Sequence, residues 1–155
     1  MTKRWKAPCL ALLVLFATAL APTRIMADPG DDELAQLLQV KSEDPVAVKQ
    51  FKETGKNPYN RDPEAVAAGF KLARAYACTH CHGGDLSGLI GPNLTSGNWR
   101  HLRNGTDKGM FQTLYFGTSA GMAAWGKIGA LTEDDILKVI AFVRSKYRGK
   151  SITWE

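Results

Sequence analysis

The stretch Cys78-Thr79-His80-Cys81-His82 decides how the rest of this chain is interpreted. Its two cysteines lie three positions apart, so on a helical turn they share one side, and a histidine follows the second cysteine directly. Two thiols at that spacing can reach the two vinyl groups of one porphyrin and form thioether bonds, which places His82 under the iron as the proximal ligand. The pattern C-x-x-C-H therefore predicts one covalently attached haem c.

Three other interpretations of the cysteine pair compete with haem. A structural zinc site needs four ligands, and only His80, His82 and His101 are available to join the two thiols. The adjacent Cys81 and His82 cannot easily share one tetrahedral ion. A thioredoxin-like redox pair would require a nearby βαβ pattern, and a disulfide would close a very small loop and leave His82 without a role.

Further residues are candidates for contacts with the haem. The second nitrogen of a ligating imidazole needs an acceptor, and Gly91-Pro92 could offer His82 a backbone carbonyl. The indole N–H groups of Trp99 and Trp125 could reach the propionates, and Arg100 could pair with one of them. Ordinary packing and surface roles explain these three side chains equally well.

The sixth iron ligand has three candidates C-terminal to the motif: Met110, Met122 and His101. A methionine thioether opposite histidine raises the reduction potential, which suits an electron carrier. Met122 lies in the small-residue loop Gly121-Met122-Ala123-Ala124-Trp125-Gly126, which could bring sulfur to iron. Met110 falls in a helical pattern with Leu114, which favours core packing. We expect Met122 to be the ligand.

The first 27 residues have the composition of a secretory signal peptide. A basic head, Met1 to Lys6, precedes an apolar run over 7–21, and small Ala27 precedes an acidic segment. The apolar run is shorter than the ~20 residues of a spanning helix, so we expect removal after Ala27, export to a periplasm and no stable membrane insertion. Cys9 would leave with this segment.

The charge of the chain is concentrated in that leader. The formal net charge is +5, but four of the 20 basic residues and none of the 15 acidic ones lie in residues 1–27. The remainder carries 16 basic and 15 acidic side chains, a balance of +1. A chain with so little excess positive charge is not expected to bind nucleic acid.

The rest of the chain predicts helices separated by a glycine-rich middle. Residues 28–61 predict a short helix followed by irregular chain, as an N-terminal extension. A domain over 62–150 then begins with a helix capped by Asp62. That helix has Val66, Phe70 and Ala73 on one face, with Gly69 beside them.

A second helix follows Thr132, and we expect the domain's first and last helices to cross near Gly69, where no side chain intervenes. The segment between them runs from Gly83 to Gly129 with many glycines and buries little apolar area of its own. The haem is expected to complete the core.

These features together resemble a known family. Residues 62–148, with CTHCHGG, GPNL, a methionine loop and a terminal helix, resemble class I monohaem cytochromes c. Four further strings resemble the cytochrome c-L group, which accepts electrons from pyrroloquinoline-quinone-dependent methanol dehydrogenases: GKNPY (55–59), NWR (98–100), GTDKGMF (105–111) and GMAAWG (121–126).

The resemblance implies an all-α fold of three to five helices around one haem, and a one-electron carrier rather than an enzyme. Its donor would be a methanol dehydrogenase, of the lanthanide type because the mature chain is short, and its acceptor a small cytochrome c or an oxidase. Cys78 and Cys81 would tether the haem, with His82 and Met122 as axial ligands. The alternatives are another dehydrogenase or oxidase partner, a haem enzyme with an open sixth position, and a zinc module.

Overall fold

A computed structural model describes residues 30–150, 152 and 154, and within them the chain is helical and has no strand. The helices are α1 Gly30–Leu37, α2 Val46–Thr54, α3 Pro63–Ala75, α4 Cys78–His82, α5 Asp107–Phe116 and α6 Glu133–Ser145, with a 3-10 turn over Leu102–Gly105. The all-α prediction is confirmed, with one helix more than the upper bound of five among the described residues. The predicted signal peptide and Cys9 lie outside them.

The first and last helices of the predicted domain, α3 and α6, cross at Gly69. A Cβ atom at this position would clash with the carbonyl oxygen of Lys138 and lie 3.1 Å from Cβ of Phe142. The expectation that these helices cross at Gly69 is therefore confirmed. Only a residue without a side chain permits this approach of one backbone to the other.

The buried face of α3 differs from the predicted one. Ala65, Gly69 and Ala73 are buried, whereas Phe70 is 40% exposed and packs its ring on Phe142 with centroids 5.3 Å apart. The prediction that Phe70 shares the core face with Ala73 was wrong. Close helix contact favours the strip of small residues, because a large ring in that strip would hold the two backbones apart.

The N-terminal ends of α3 and α6 are capped as their sequences predict. Asp62 accepts hydrogen bonds from the backbone N–H groups of Glu64 and Ala65 at 2.9 and 3.2 Å. Thr132 Oγ1 accepts from the Asp135 N–H at 3.1 Å, and the Asp135 carboxylate accepts from the Thr132 N–H at 3.1 Å. These contacts satisfy N–H groups that the first turn of a helix leaves free.

The second helix, α2, corrects the expectation of irregular chain after one short helix. Val48 and Phe51 are 1% and 0% exposed, and the Phe51 ring lies 4.8 Å from the Phe111 ring, centroid to centroid. Gly55 ends the helix with φ of 71° and donates its N–H to the Phe51 carbonyl at 2.7 Å. Only Val46, Val48 and Phe51 are large apolar residues in this helix, and Pro45 is its N-cap rather than a break.

A buried ion bridge ties α2 to the start of α6. Lys52 Nζ lies 2.9 Å from a carboxylate oxygen of Asp44 and 2.8 Å from one of Glu133, and its side chain is 0% exposed. Desolvation acts to lower the pKa of Lys52, but its hydrogen bonds to Glu133 and Asp44 outweigh that and raise it. On the surface, Glu33 of α1 pairs with Lys127 at 3.0 Å.

The N-terminal helices share the core of the molecule. Leu34 of α1 and Val48 and Phe51 of α2 belong to the same apolar cluster as the buried face of α6. No helix within the described ranges is long and apolar enough to cross a membrane.

We expect Gly69→Ala to lower the free energy of unfolding by roughly 1–3 kcal/mol, because the added Cβ forces α3 away from Lys138. Denaturant titration measures the change. Gly84→Ala is the matched control, since a Cβ at Gly84 would meet no atom within 4 Å. Equal stability of the two variants would contradict the close crossing.

We expect Lys52→Met to lower the free energy of unfolding by about 3 kcal/mol, because it leaves two partly buried carboxylates facing each other. Lys127→Met removes an exposed ion pair instead and should cost about 0–1 kcal/mol. Chemical denaturation of both variants measures the difference. Similar losses of stability in the two variants would show that burial does not strengthen the ion pairs of Lys52.

Candidate haem site

The cysteine motif forms its own short helix directly after α3. The Leu72 carbonyl accepts from the Tyr76 N–H at 2.9 Å at the end of α3, and Ala77 then takes a left-handed conformation with φ of 57°. The chain thereby turns into α4 within the two residues Tyr76 and Ala77. The position of α3 on α6 therefore also fixes the position of the motif.

The two motif thiols are free and lie in different surroundings. Cys78 is partly buried and Cys81 is exposed. Burial raises the pKa of the Cys78 thiol. Both sulfur atoms are available for covalent attachment, and one of them lies at the surface of the protein.

The His82 ring is held by a carbonyl of the following loop. The residue is 7% exposed, and its Nδ1 lies 2.9 Å from the Pro92 carbonyl oxygen. A carbonyl oxygen only accepts, so Nδ1 carries the hydrogen, and in the neutral ring Nε2 keeps its lone pair. The ring is thus prepared to bind a metal through Nε2, with the tautomer fixed by Pro92.

The loop after the motif closes tightly around this imidazole. A Cβ on Gly91 would lie 2.7 Å from Cε1 and 2.8 Å from Nδ1 of His82. The Gly91 N–H donates to the Cys81 carbonyl and the Gly88 N–H to the His82 carbonyl, both at 2.7 Å. Leu86, 1% exposed, anchors the loop in the core. The steric need for glycine at 91 is a site feature that the sequence analysis missed.

Met122 lies in a closed turn between α5 and α6. The Thr118 N–H donates to the Met122 carbonyl at 2.9 Å, and a Cβ on Gly117 would lie 2.5 Å from that carbonyl oxygen. The Met122 side chain is partly buried and packs against the apolar core, whereas Met110 is 5% exposed within α5. Met110 therefore has the core position that its helical spacing predicts.

Trp125 connects the Met122 loop to the chain that leads into the motif. Its ring meets the ring of Tyr76 edge to face, with centroids 5.7 Å apart. Its carbonyl accepts from the Leu131 N–H at 3.1 Å, which folds the loop back before α6. Because Tyr76 lies two residues before Cys78, this pair brings the methionine loop beside the cysteine motif.

Trp99 and Arg100 lie in different surroundings. Trp99 is half-buried and stacks on Tyr147 with centroids 6.2 Å apart. Arg100 is exposed. Arg144 lies over the Trp99 ring, with its Cζ 5.5 Å from the ring centroid.

Arg144 belongs to a buried polar network that the sequence analysis did not find. Its Nε donates to Asp107 at 2.9 Å, and the other oxygen of Asp107 accepts from Asn57 N–H and Asn60 Nδ2 at 2.9 and 2.8 Å. Arg144 also lies over the Trp154 ring, 3.9 Å from its centroid. Its place four residues after Ile140, in the apolar stripe of α6, is the one signal of burial in the sequence.

The zinc interpretation finds no ligand set in this part of the chain. Across residues 30–150, 152 and 154, no three His, Cys, Asp or Glu side chains gather closely enough to hold one metal ion between them. The residues around His82 fit a haem instead: two free thiols, a ring with one nitrogen fixed, and a loop glycine against the ring face.

Comparison with known proteins identifies relatives over the same region. Residues 64–143 match the family model described as cytochrome c oxidase, cbb3-type, subunit III. The chain is 38% identical over 106 residues to cytochrome c-L of Methylorubrum extorquens, covering 68% of this chain and 52% of that protein. It is 37% identical over 101 residues to the cbb3-type oxidase subunit FixP of Bradyrhizobium diazoefficiens, covering 55% of this chain and 33% of FixP. The chain thus spans about half of the first of these two proteins and about a third of the second.

Two solved structures are similar in fold and sequence. Cytochrome cL of Methylophaga aminisulfidivorans aligns with a TM-score of 0.65 and 40% identity, covering 72% of each chain. Cytochrome cL of Hyphomicrobium denitrificans aligns with a TM-score of 0.64 and 33% identity, covering 74% of this chain and 67% of that one.

We expect Gly91→Ala to push the His82 ring off the Pro92 carbonyl, because the new Cβ would overlap the imidazole. In protein matured with haem-attachment machinery, this should destabilise the fold by about 1–3 kcal/mol and shift the reduction potential. Gly84→Ala should change neither quantity. An unchanged potential in Gly91→Ala would show that the loop does not orient the ring.

Proposed function

Because this chain belongs to the c-type cytochromes and, among them, to the cytochrome cL group, we propose that it is a periplasmic one-electron carrier. It accepts electrons from a pyrroloquinoline-quinone-dependent methanol dehydrogenase and passes them to a small cytochrome c or an oxidase. The observation that carries the proposal is the fixed His82 ring next to two free thiols. The signal peptide predicted over 1–27 supports the periplasmic location.

Haem c is the cofactor of this family, and the chain offers a matching set of groups. Cys78 and Cys81 would hold the haem through thioethers, and His82 Nε2 and Met122 would bind its iron. When bound, haem iron supplies a one-electron couple between ferric and ferrous states. Pro92 keeps the His82 ring in one tautomer, and a thioether ligand from Met122 would favour the ferrous state.

The aromatic candidates divide into two places around the haem. Trp125 would lie along the haem edge, which its contact with Tyr76 beside the motif supports. Trp99 would serve a propionate. The buried cation over its ring is Arg144, and exposed Arg100 is the cation predicted from the sequence. Nη1 and Nη2 of Arg144 are buried and have no hydrogen-bond partner among the described residues, which suits a carboxylate acceptor.

The chain acts as an electron-transfer protein rather than an enzyme. It orients the iron ligands, keeps the proximal ring away from water and presents one motif cysteine at the surface. No bond of a substrate is made or broken by its side chains. A reduced quinone releases two electrons, so two copies of the chain, or one copy twice, serve each oxidised alcohol.

An oxidase-linked carrier is the second candidate. It is favoured by the match of residues 64–143 to the family of cbb3-type oxidase subunit III. Both candidates use the same haem groups and differ in the partner protein, so kinetics with purified partners separates them.

We expect Met122→Ala to lower the reduction potential and to allow stoichiometric carbon monoxide binding by the ferrous protein, since it removes the distal thioether. Spectroelectrochemistry and gas titration measure both effects. Met110→Leu, a volume-conserving change in the core, should leave them unchanged. Ready carbon monoxide binding by the wild-type protein would favour a haem enzyme with an open sixth position instead.

We expect the ferric protein to be reduced when it is mixed with a methanol dehydrogenase and its alcohol, with the lanthanide-type enzyme faster than the calcium-type enzyme. Stopped-flow absorbance of the haem follows the reaction. Because the exported part has a charge balance of +1, the rate should fall only modestly with added salt. Reduction by neither enzyme would contradict the proposed donor, and a steep fall with salt would show that charged groups dominate the contact with the partner.

A further inference from the structure

Two neighbouring apolar side chains project into solvent beside the cysteine motif. Leu89 and Ile90 are 74% and 84% exposed. Other large apolar side chains on the described surface, such as Val46 and Leu102, are exposed one at a time, and 89–90 is the one adjacent pair among them. Exposing two such side chains together leaves apolar surface in water that a partner could remove from it.

The backbone holds this pair in place rather than leaving it loose. The Leu89 N–H donates to the Gly91 carbonyl at 3.1 Å, and both Gly88 and Gly91 donate to carbonyls of the motif helix. Leu86 is buried on one side of the pair, and the Leu94 N–H donates to its carbonyl at 2.9 Å. The exposure of the pair is therefore a property of a braced loop, which makes the surface pre-formed for a partner.

The braced loop adjoins the part of the chain that would hold the haem. Gly91, next to Ile90, is hydrogen-bonded to the Cys81 carbonyl, and Cys81 itself is exposed. A protein that covers Leu89 and Ile90 would thus lie next to exposed Cys81. Electron transfer between proteins requires that the two cofactors approach closely.

The loop segment that carries the pair contains little charge. Asp85 is the one Asp, Glu, Lys or Arg residue within 83–94. Its carboxylate accepts from the Ser87 N–H and hydroxyl at 3.0 and 2.6 Å. A partner that fits this surface would present an apolar, nearly uncharged area, as a protein can and an anionic surface cannot.

We propose that Leu89 and Ile90 form the apolar centre of the surface that docks the electron-donating dehydrogenase, whose complementary site is a shallow apolar area next to its cofactor. This inference rests on the proposed function. It assigns recognition of the partner to two side chains outside the set proposed to hold the haem.

The test compares the double variant Leu89→Ser/Ile90→Ser with Leu102→Ser in haem-loaded protein. Leu102 is 90% exposed but lies on the 3-10 turn, so it controls for loss of any exposed leucine. We expect the double variant to raise the KM of the dehydrogenase for the cytochrome at least about tenfold. The kcat, the reduction potential and the haem spectrum should stay at wild-type values, and Leu102→Ser should leave all four unchanged.

The outcomes separate the docking inference from the proposed function. Wild-type reduction by the dehydrogenase with an unchanged KM in the double variant would overturn the docking surface and leave the function standing. A shifted reduction potential in the double variant would overturn the docking surface too, as would an equal rise in KM caused by Leu102→Ser. No reduction of the wild type would overturn both. Co-sedimentation with uncharged phosphatidylcholine vesicles, present in the wild type and lost in the double variant, would assign the pair to a membrane instead.

Discussion

The close approach of α3 to α6 at Gly69 determines where the site lies. Only two residues separate α3 from α4, so fixing α3 on α6 also fixes the two cysteines and His82. The same α6 begins at the Thr132 cap, which ends the loop that carries Met122. One helix crossing therefore sets the positions of both chain segments that would face the haem from opposite sides.

Local chemistry made much of this fold predictable. Capping residues within three or four positions set the N-terminal ends of α3 and α6. The spacing of the cysteine motif predicts haem attachment. The Pro92 carbonyl follows from the need of a ligating imidazole for an acceptor. In each of these cases the decisive contact joins residues close together in the sequence.

Tertiary contacts decided what the sequence did not show. The existence of α2 depends on packing Phe51 against Phe111, sixty positions away. The exposure of Phe70 follows from how closely α6 approaches, which the periodicity of α3 does not encode. Burial of Arg144 requires Asp107, on α5, to meet it. A pattern within one helix cannot reveal a partner supplied by another.

The arrangement around the motif places the proposed haem ligand and the proposed docking pair in different surroundings. His82 is 7% exposed and held by Pro92, whereas Ile90, two residues before that proline, is 84% exposed. One loop therefore holds the ligand ring on its inner side and presents apolar surface on its outer side. Because hydrogen bonds to the motif helix fix the loop, its outer residues are free to change without moving the ring. In such a fold, substitutions at the outer residues can change which partner binds while the His82 ring keeps its position.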